Sequence, residues 1–141
     1  MNVEELFREG LLKKVPPSKE RADKSIKIAE RYLNSAEKSF DSSIDDMAIV
    51  AAYSAVFHAA RAILFLEGTA ERSHVAIYEY LKEKHKSLGS GLIETFNLYR
   101  KLRHSVAYGL DTIVETKDSQ EAINFAVEFI KEVKRYIKNK K

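Results

Sequence analysis

The chain has 141 residues, 45% of them hydrophobic and 32% charged, with five Gly and two Pro. That composition excludes a disordered chain, and so few turn residues argue against an all-β sandwich or barrel. The absence of Cys excludes a disulfide framework, a thiolate nucleophile, an Fe–S cluster and a Cys-based zinc site. The formal net charge of +3 tilts mildly toward anionic partners.

The length fits one domain, residues 1–141. Its first residues, Met1-Asn2-Val3-Glu4-Glu5-Leu6, have no basic stretch leading into an apolar one, so no targeting segment is expected there. Residues 3–13 form a short amphipathic helical piece. Val15-Pro16-Pro17 breaks it, since proline cannot continue a helix and restricts the residue before it. Residues 1–17 are therefore a short helix and a Pro-Pro break. Ser18 can cap a second helix, whose apolar positions Ala22, Ile26, Ala29, Leu33, Ala36 and Phe40 alternate by four and three.

Asp41-Ser42-Ser43 marks a turn, and the Ser43-x-x-Asp46 spacing predicts a capping box. The third helix runs to about Glu67 and stops at Gly68. Met47 to Leu66 has the length of a membrane span, but it carries Tyr53, Ser54, His58 and Arg61, and charge at mid-bilayer is costly. A central helix wrapped by others is the better reading, with no membrane partner and a cytoplasmic location expected. Ser73 opens a shorter helix to about Lys84, and Gly89-Ser90-Gly91 is the next break. A fifth helix spans Leu92 to Tyr108 and ends at Gly109. Asp118-x-x-Glu121 is expected to cap the last helix, whose seam is Ala122, Phe125, Ala126, Phe129, Val133, Tyr136 and Ile137. No strand alternation is visible, and residues 138–141 form a basic tail. The pattern predicts an all-α, up-and-down bundle of four long helices plus one or two short ones.

Two helices carry polar residues where apolar ones are due. In the fifth, Leu92, Phe96, Tyr99 and Val106 share a seam, and Arg103 fills the slot between Tyr99 and Val106. That arginine must snorkel, find a carboxylate or line a cleft. Arg100, His104 and Tyr108 follow one another by one turn, so all four residues crowd one side of the helix end. In the third helix, Ser54, His58 and Arg61 are spaced four and three on an otherwise apolar cylinder. They are either a buried network fixing helix register or the lining of a ligand cleft. Glu71-x-x-His74 has the spacing used by di-iron bundles, but such sites need two motifs and further carboxylates, so no metal and no cofactor is expected. The basic run Lys131, Lys134, Arg135, Lys138, Lys140 and Lys141 reads as a solvated helix end that could help hold a polyanion.

Three stretches resemble a HEPN domain. The first is Ala52-Tyr53-Ser54-Ala55-Val56-Phe57-His58-Ala59-Ala60-Arg61-Ala62-Ile63-Leu64, similar to that family's central helix. The second is Ser73-His74, opening the short helix that follows. The third is Leu102-Arg103-His104-Ser105-Val106-Ala107-Tyr108-Gly109, before a turn and a final helix. The likeness covers residues 18–137.

The resemblance implies a HEPN-type bundle. In the catalytic branch of that family, an Arg, a polar neighbour and a His four to six residues later form a metal-independent ribonuclease site, usually across a homodimer cleft. Arg103 matches the Arg and His104 the polar neighbour, but Tyr108 stands near the place of the second His. A Tyr is a poor general base at neutral pH. The resemblance also implies a branch with Tyr near this place, often encoded beside a minimal nucleotidyltransferase as half of a toxin–antitoxin-like pair. The leading expectation is a homodimer that binds RNA or nucleotide, with Arg100, Ser54, His58 and Arg61 as binding residues and such a nucleotidyltransferase as partner. The alternative is a metal-independent endoribonuclease using Arg103 and His104, with Tyr108 beside them. A third reading is a non-catalytic adaptor.

Overall fold

A computed structural model describes residues 1–140. Six helices are described: α1 (Val3–Arg8), α2 (Lys19–Asp41), α3 (Asp45–Leu66), α4 (His74–Lys84), α5 (Ser90–Tyr108) and α6 (Thr116–Asn139). Four are long and two are short, in the all-α arrangement that the periodicity predicts. A 3-10 turn at Lys86–Leu88 joins α4 to α5. Lys141, the last residue of the basic tail, lies outside the described residues.

The N-terminal segment departs from expectation. The predicted helix over residues 3–13 ends at Arg8, and Gly10 turns the chain with a φ of 76°. Leu12–Lys14 (β1) then pairs antiparallel with Thr69–Glu71 (β2), with Leu12 opposite Glu71. Strands of three residues are too short for alternation to show in sequence, and their pairing joins distant parts of the chain. Only Leu12 of β1 is buried, which anchors the ribbon to the core.

Helix α2 begins where Ser18 Oγ accepts from the Arg21 amide at 3.0 Å. Ala22, Ala29 and Ala36 are fully buried on the helix that packs most extensively on α3, small side chains that let the two axes approach. Ser25 Oγ donates to the His58 carbonyl at 2.7 Å, a polar stitch between the same helices. Helix α3 is the core: it packs on α2, α5 and α6, and 56% of its most apolar window is buried by them. By length and composition alone it would also pass for a membrane span.

Two caps differ from the sequence reading. Ser43 is left-handed with a φ of 60°, so the expected Ser43-x-x-Asp46 box does not form; Ile44 takes the cap position without a side-chain bond. The first-turn Asp45 instead accepts from Thr116 Oγ1 at 3.1 Å and from Ser119 Oγ at 2.9 Å, tying α3 to the start of α6. Helix α6 starts at Thr116, and Asp118 is its third residue; its carboxylate accepts from the Glu115 amide at 3.0 Å. Asp118-x-x-Glu121 therefore lies inside the helix. Helix α5 likewise starts at Ser90, two residues before the expected Leu92, because Gly89 with a φ of 101° makes the turn alone.

Gly68 ends α3 with a φ of 82°, and a Cβ there would stand 2.8 Å from the Val15 carbonyl oxygen. The Val15 amide donates to the Gly68 carbonyl at 3.0 Å, so the Pro-Pro segment is seated directly on this glycine. Replacing Gly68 with Ala combines left-handed strain with a backbone clash and should cost about 2 kcal/mol or more. An unchanged thermal midpoint for the variant would refute this account of the junction.

Candidate functional site

Only Ile93 and Phe96 of α5 are fully buried, so the C-terminal half of this helix leaves its polar side chains at a surface cleft. Arg100, Arg103 and His104 line that cleft from α5, Tyr53 from the middle of α3 and His74 from the first position of α4. The enclosed volume is about 190 Å³. Larger hollows lie elsewhere: about 520 Å³ between α2 and α6, where Lys19 and Lys134 are paired with Asp23 and Glu30, and about 630 Å³ between α1 and α4, lined by Glu4, Glu67 and Glu83.

Local structure explains how His74 arrives here. Ser73 Oγ accepts from the Ala76 amide at 3.1 Å and starts α4, which places His74 back over α3. Its ring stacks on Phe57 at 4.1 Å and on Tyr53 at 5.7 Å, with interplanar angles of 18° and 19°. The Tyr53 hydroxyl lies 2.8 Å from His74 Nδ1. Burial pushes the Tyr53 phenol up, and the attraction of Arg100 and Arg103 offsets this only in part. Burial, then the charges of Arg103, Arg100 and Arg61, push the His74 imidazole down. Tyr53 therefore keeps its proton and donates it to Nδ1 of a neutral ring, which leaves the ring hydrogen on Nε2.

The two cleft arginines are unequal. Arg100 Nε donates to Asn97 Oδ1 at 2.9 Å, which fixes the guanidinium and leaves its terminal amino groups available. Arg103 makes no ion pair among the described residues and sits half-buried in the slot where the seam asks for an apolar residue. Among the described residues neither arginine has a carboxylate partner, so the cleft holds two uncompensated positive charges. His104 is exposed, and its ring lies 4.9 Å from that of Tyr108. Tyr108 is 67% exposed and is not part of the cleft wall. The four residues that share the α5 end thus separate into three that line the cleft and one beside it.

Ser54, His58 and Arg61 are not joined as the spacing suggested. Ser54 Oγ donates to the Val50 carbonyl of its own helix at 3.0 Å. His58 stacks face to face on Tyr32 at 5.3 Å, and its Nδ1 is buried with no hydrogen-bond partner. Burial, then the charges of Arg61 and Arg31, lower its pKa from 6.5 to about 4, so the ring is neutral. Arg61 Nε donates to Glu71 Oε1 on β2 at 2.9 Å, with the guanidinium over the Phe65 and Phe57 rings. These residues form neither a shared network nor part of the cleft wall: Ser54 bonds its own helix, His58 packs on α2 and Arg61 reaches β2.

The Glu71–His74 spacing is resolved in the same way: Glu71 serves Arg61 and His74 serves Tyr53. No group of three His, Asp or Glu side chains among the described residues is placed to hold a metal. Of the basic run along α6 and just after it, Lys134 pairs with Glu30, Arg135 with Glu132 and Lys140 with Glu67.

Sequence reasoning missed Tyr53 and His74 as site residues. A tyrosine inside an apolar helix gives no signal of its own, and His74 follows a capping serine as any first-turn residue would. Only the crossing of α3, α4 and α5 brings them to the arginines.

No curated protein matches the chain. A family model, the HEPN domain, matches residues 22–136, from the first turn of α2 to near the end of α6. With an all-α bundle and a family match over most of its length, the chain belongs to the HEPN family.

Proposed function

We propose that this HEPN protein binds RNA or nucleotide as a homodimer, by taking a phosphate group into the cleft between α3, α4 and α5. The observation that carries the reading is the pair Arg100 and Arg103: two guanidiniums without carboxylate partners among the described residues, converging on a small hollow that also holds neutral donors. Leaving two half-buried cations unpaired is unfavourable, and an anionic ligand relieves that cost. The volume, about 190 Å³, is below the roughly 300 Å³ at which small-molecule pockets begin, so the cleft suits a phosphate rather than a whole nucleotide.

The homodimer reading has its own support. Tyr108, Leu110 and Ile113 are 67%, 98% and 85% exposed, immediately after the cleft-lining part of α5. Such a run of apolar residues on a charged protein favours a protein contact, and a two-fold contact would bring the two clefts toward one another. By analogy with its family, we place the protein in a toxin–antitoxin-like pair with a minimal nucleotidyltransferase.

A second reading, metal-independent endoribonuclease, is favoured by His104 lining the same cleft as Arg103. There His104 would accept the 2′-hydroxyl proton and Arg103 would stabilise the charged phosphorane. One experiment addresses both readings: light scattering of the purified protein with and without a mixed RNA pool, in EDTA, with the RNA analysed afterwards. The expected result is a dimer that retains RNA without cutting it. A monomer without RNA affinity refutes the proposal. Cleavage that Arg103→Ala and His104→Ala both abolish establishes the second reading.

A further inference from the structure

We propose that Tyr53 and His74 complete the Arg100–Arg103 cleft as a proton-coupled site for a terminal phosphomonoester. The inference rests on the reading of this cleft as the phosphate-binding site, and it names the phosphate.

Charge balance distinguishes a terminal phosphate from an internal one. Arg61, the next cation on α3, is already neutralised by Glu71 at 2.9 Å. The cleft therefore presents two net positive charges, those of Arg100 and Arg103. An internal phosphodiester carries one negative charge and would leave one guanidinium unpaired. A phosphomonoester carries close to two at neutral pH and satisfies both. The cleft's small volume admits the phosphate and leaves the sugar and base outside.

Geometry makes His74 the adjustable member. Its Nδ1 is occupied by the Tyr53 hydroxyl at 2.8 Å, and its Nε2, on the opposite edge of the ring, has no protein partner among the described residues. In the free protein the neutral ring offers one donor, Nε2–H. Adding a proton reverses the Tyr53 bond: Nδ1–H now donates to the phenolic oxygen, and the Tyr53 O–H is freed to turn into the cleft it lines. One proton taken from solvent thus yields a cationic Nε2–H and a second donor from Tyr53. The charged and titratable groups facing His74 are Arg61 and His58 on α3, Glu71 on β2, and Arg100, Arg103 and His104 on α5. Burial, and then the charges of Arg103 and Arg100, oppose protonation while the cleft is empty. A bound dianion cancels the arginines' part of that opposition and offsets the burial by its own attraction for the imidazolium, so ligand and proton bind cooperatively.

The test uses the full chain and one short RNA carrying a 5′-phosphate, a 3′-phosphate or hydroxyl ends. Calorimetric titration at pH 7 in two buffers of different ionisation heat measures proton uptake, and melting curves confirm that the variants fold. The wild type should prefer a phosphorylated end by about tenfold, equivalent to one charge-assisted contact, and take up a fraction of a proton on binding. His74→Gln, which keeps an amide donor but cannot titrate, should lose the uptake and most of the preference. Tyr53→Phe, which keeps the stacked ring, should weaken binding of the phosphorylated ends selectively. Equal affinity for phosphorylated and hydroxyl ends, or uptake that persists in His74→Gln, overturns this inference. If Arg100→Ala and Arg103→Ala leave binding of every RNA unchanged, the cleft reading itself fails.

Discussion

Replacing Glu67 with Ala should lower the thermal midpoint by about 10 °C, corresponding to a loss of about 3 kcal/mol. Glu67 stands at the C-terminal end of α3, and its two carboxylate oxygens collect donors from three other parts of the fold. His85 Nε2 reaches it at 2.7 Å and the Tyr80 hydroxyl at 2.8 Å, while the Tyr136 hydroxyl comes from α6 and Lys140 Nζ, at 2.9 Å, from the residue just after that helix. His85 is 4% exposed, so the alanine variant would strand a buried donor as well as delete the acceptor.

Burial pushes the Glu67 carboxyl up, but the bonds from His85, Tyr136, Lys140 and Tyr80 outweigh it and hold the group well below the usual carboxylate range. Its folded pKa thus lies below its unfolded value of about 4.3, and its contribution is complete above that pH. The contribution is lost as pH falls from there toward the folded pKa. Glu67→Gln removes the titration, so its stability should fall less steeply than the wild type's below about pH 4. Parallel acid limbs in the two proteins would show that the carboxylate is not the anchor described.

Replacing Arg103 with Ala should weaken RNA binding by about 10- to 100-fold, the equivalent of one charged hydrogen-bonded contact. The slope of log affinity against log salt should become shallower by about one. The melting curve should move little, since Arg103 has no ion-pair partner among the described residues that its loss would strand. Arg100→Ala should act in the same direction and also free Asn97, which fixes its guanidinium now. Arg61→Ala is the contrasting variant: it strands the Glu71 carboxylate and should reduce stability rather than the salt slope. Affinity titrations at several salt concentrations, beside melts, separate these outcomes. An Arg103 variant with lowered stability and unchanged affinity would make the arginine a core residue after all.

The helices were legible because helical periodicity is a local property. The alternation Ala22, Ile26, Ala29, Leu33, Ala36 and Phe40 states which side of α2 is apolar whatever it packs against. The stops at Gly68 and Gly109 and the caps at Ser18 and Ser73 depend on neighbouring residues alone. The two missed caps show the limit of that logic. Ser43 and Asp118 have the right chemistry, but the backbone turn before α3 and the docking of Asp45 onto Ser119 moved the helix starts.

The site was legible only in part, for the same reason. An arginine in an apolar seam is visible in one helix, so Arg103 and its neighbours Arg100 and His104 could be found from sequence by itself. The family resemblance could be read from the order of three short stretches along the chain. Which side chains meet across helices is not periodic information. The stacking of His74 on Phe57 and its bond to Tyr53, the capture of Arg61 by Glu71, and the four donors on Glu67 each join residues from different elements. So does the β1–β2 ribbon, whose strands are too short to carry a pattern. Sequence determined the bundle and the anomalous arginine, through local periodicity and capping. Tertiary structure decided which polar groups were consumed as partners and which were left facing the cleft, because only the crossing of helices sets those distances.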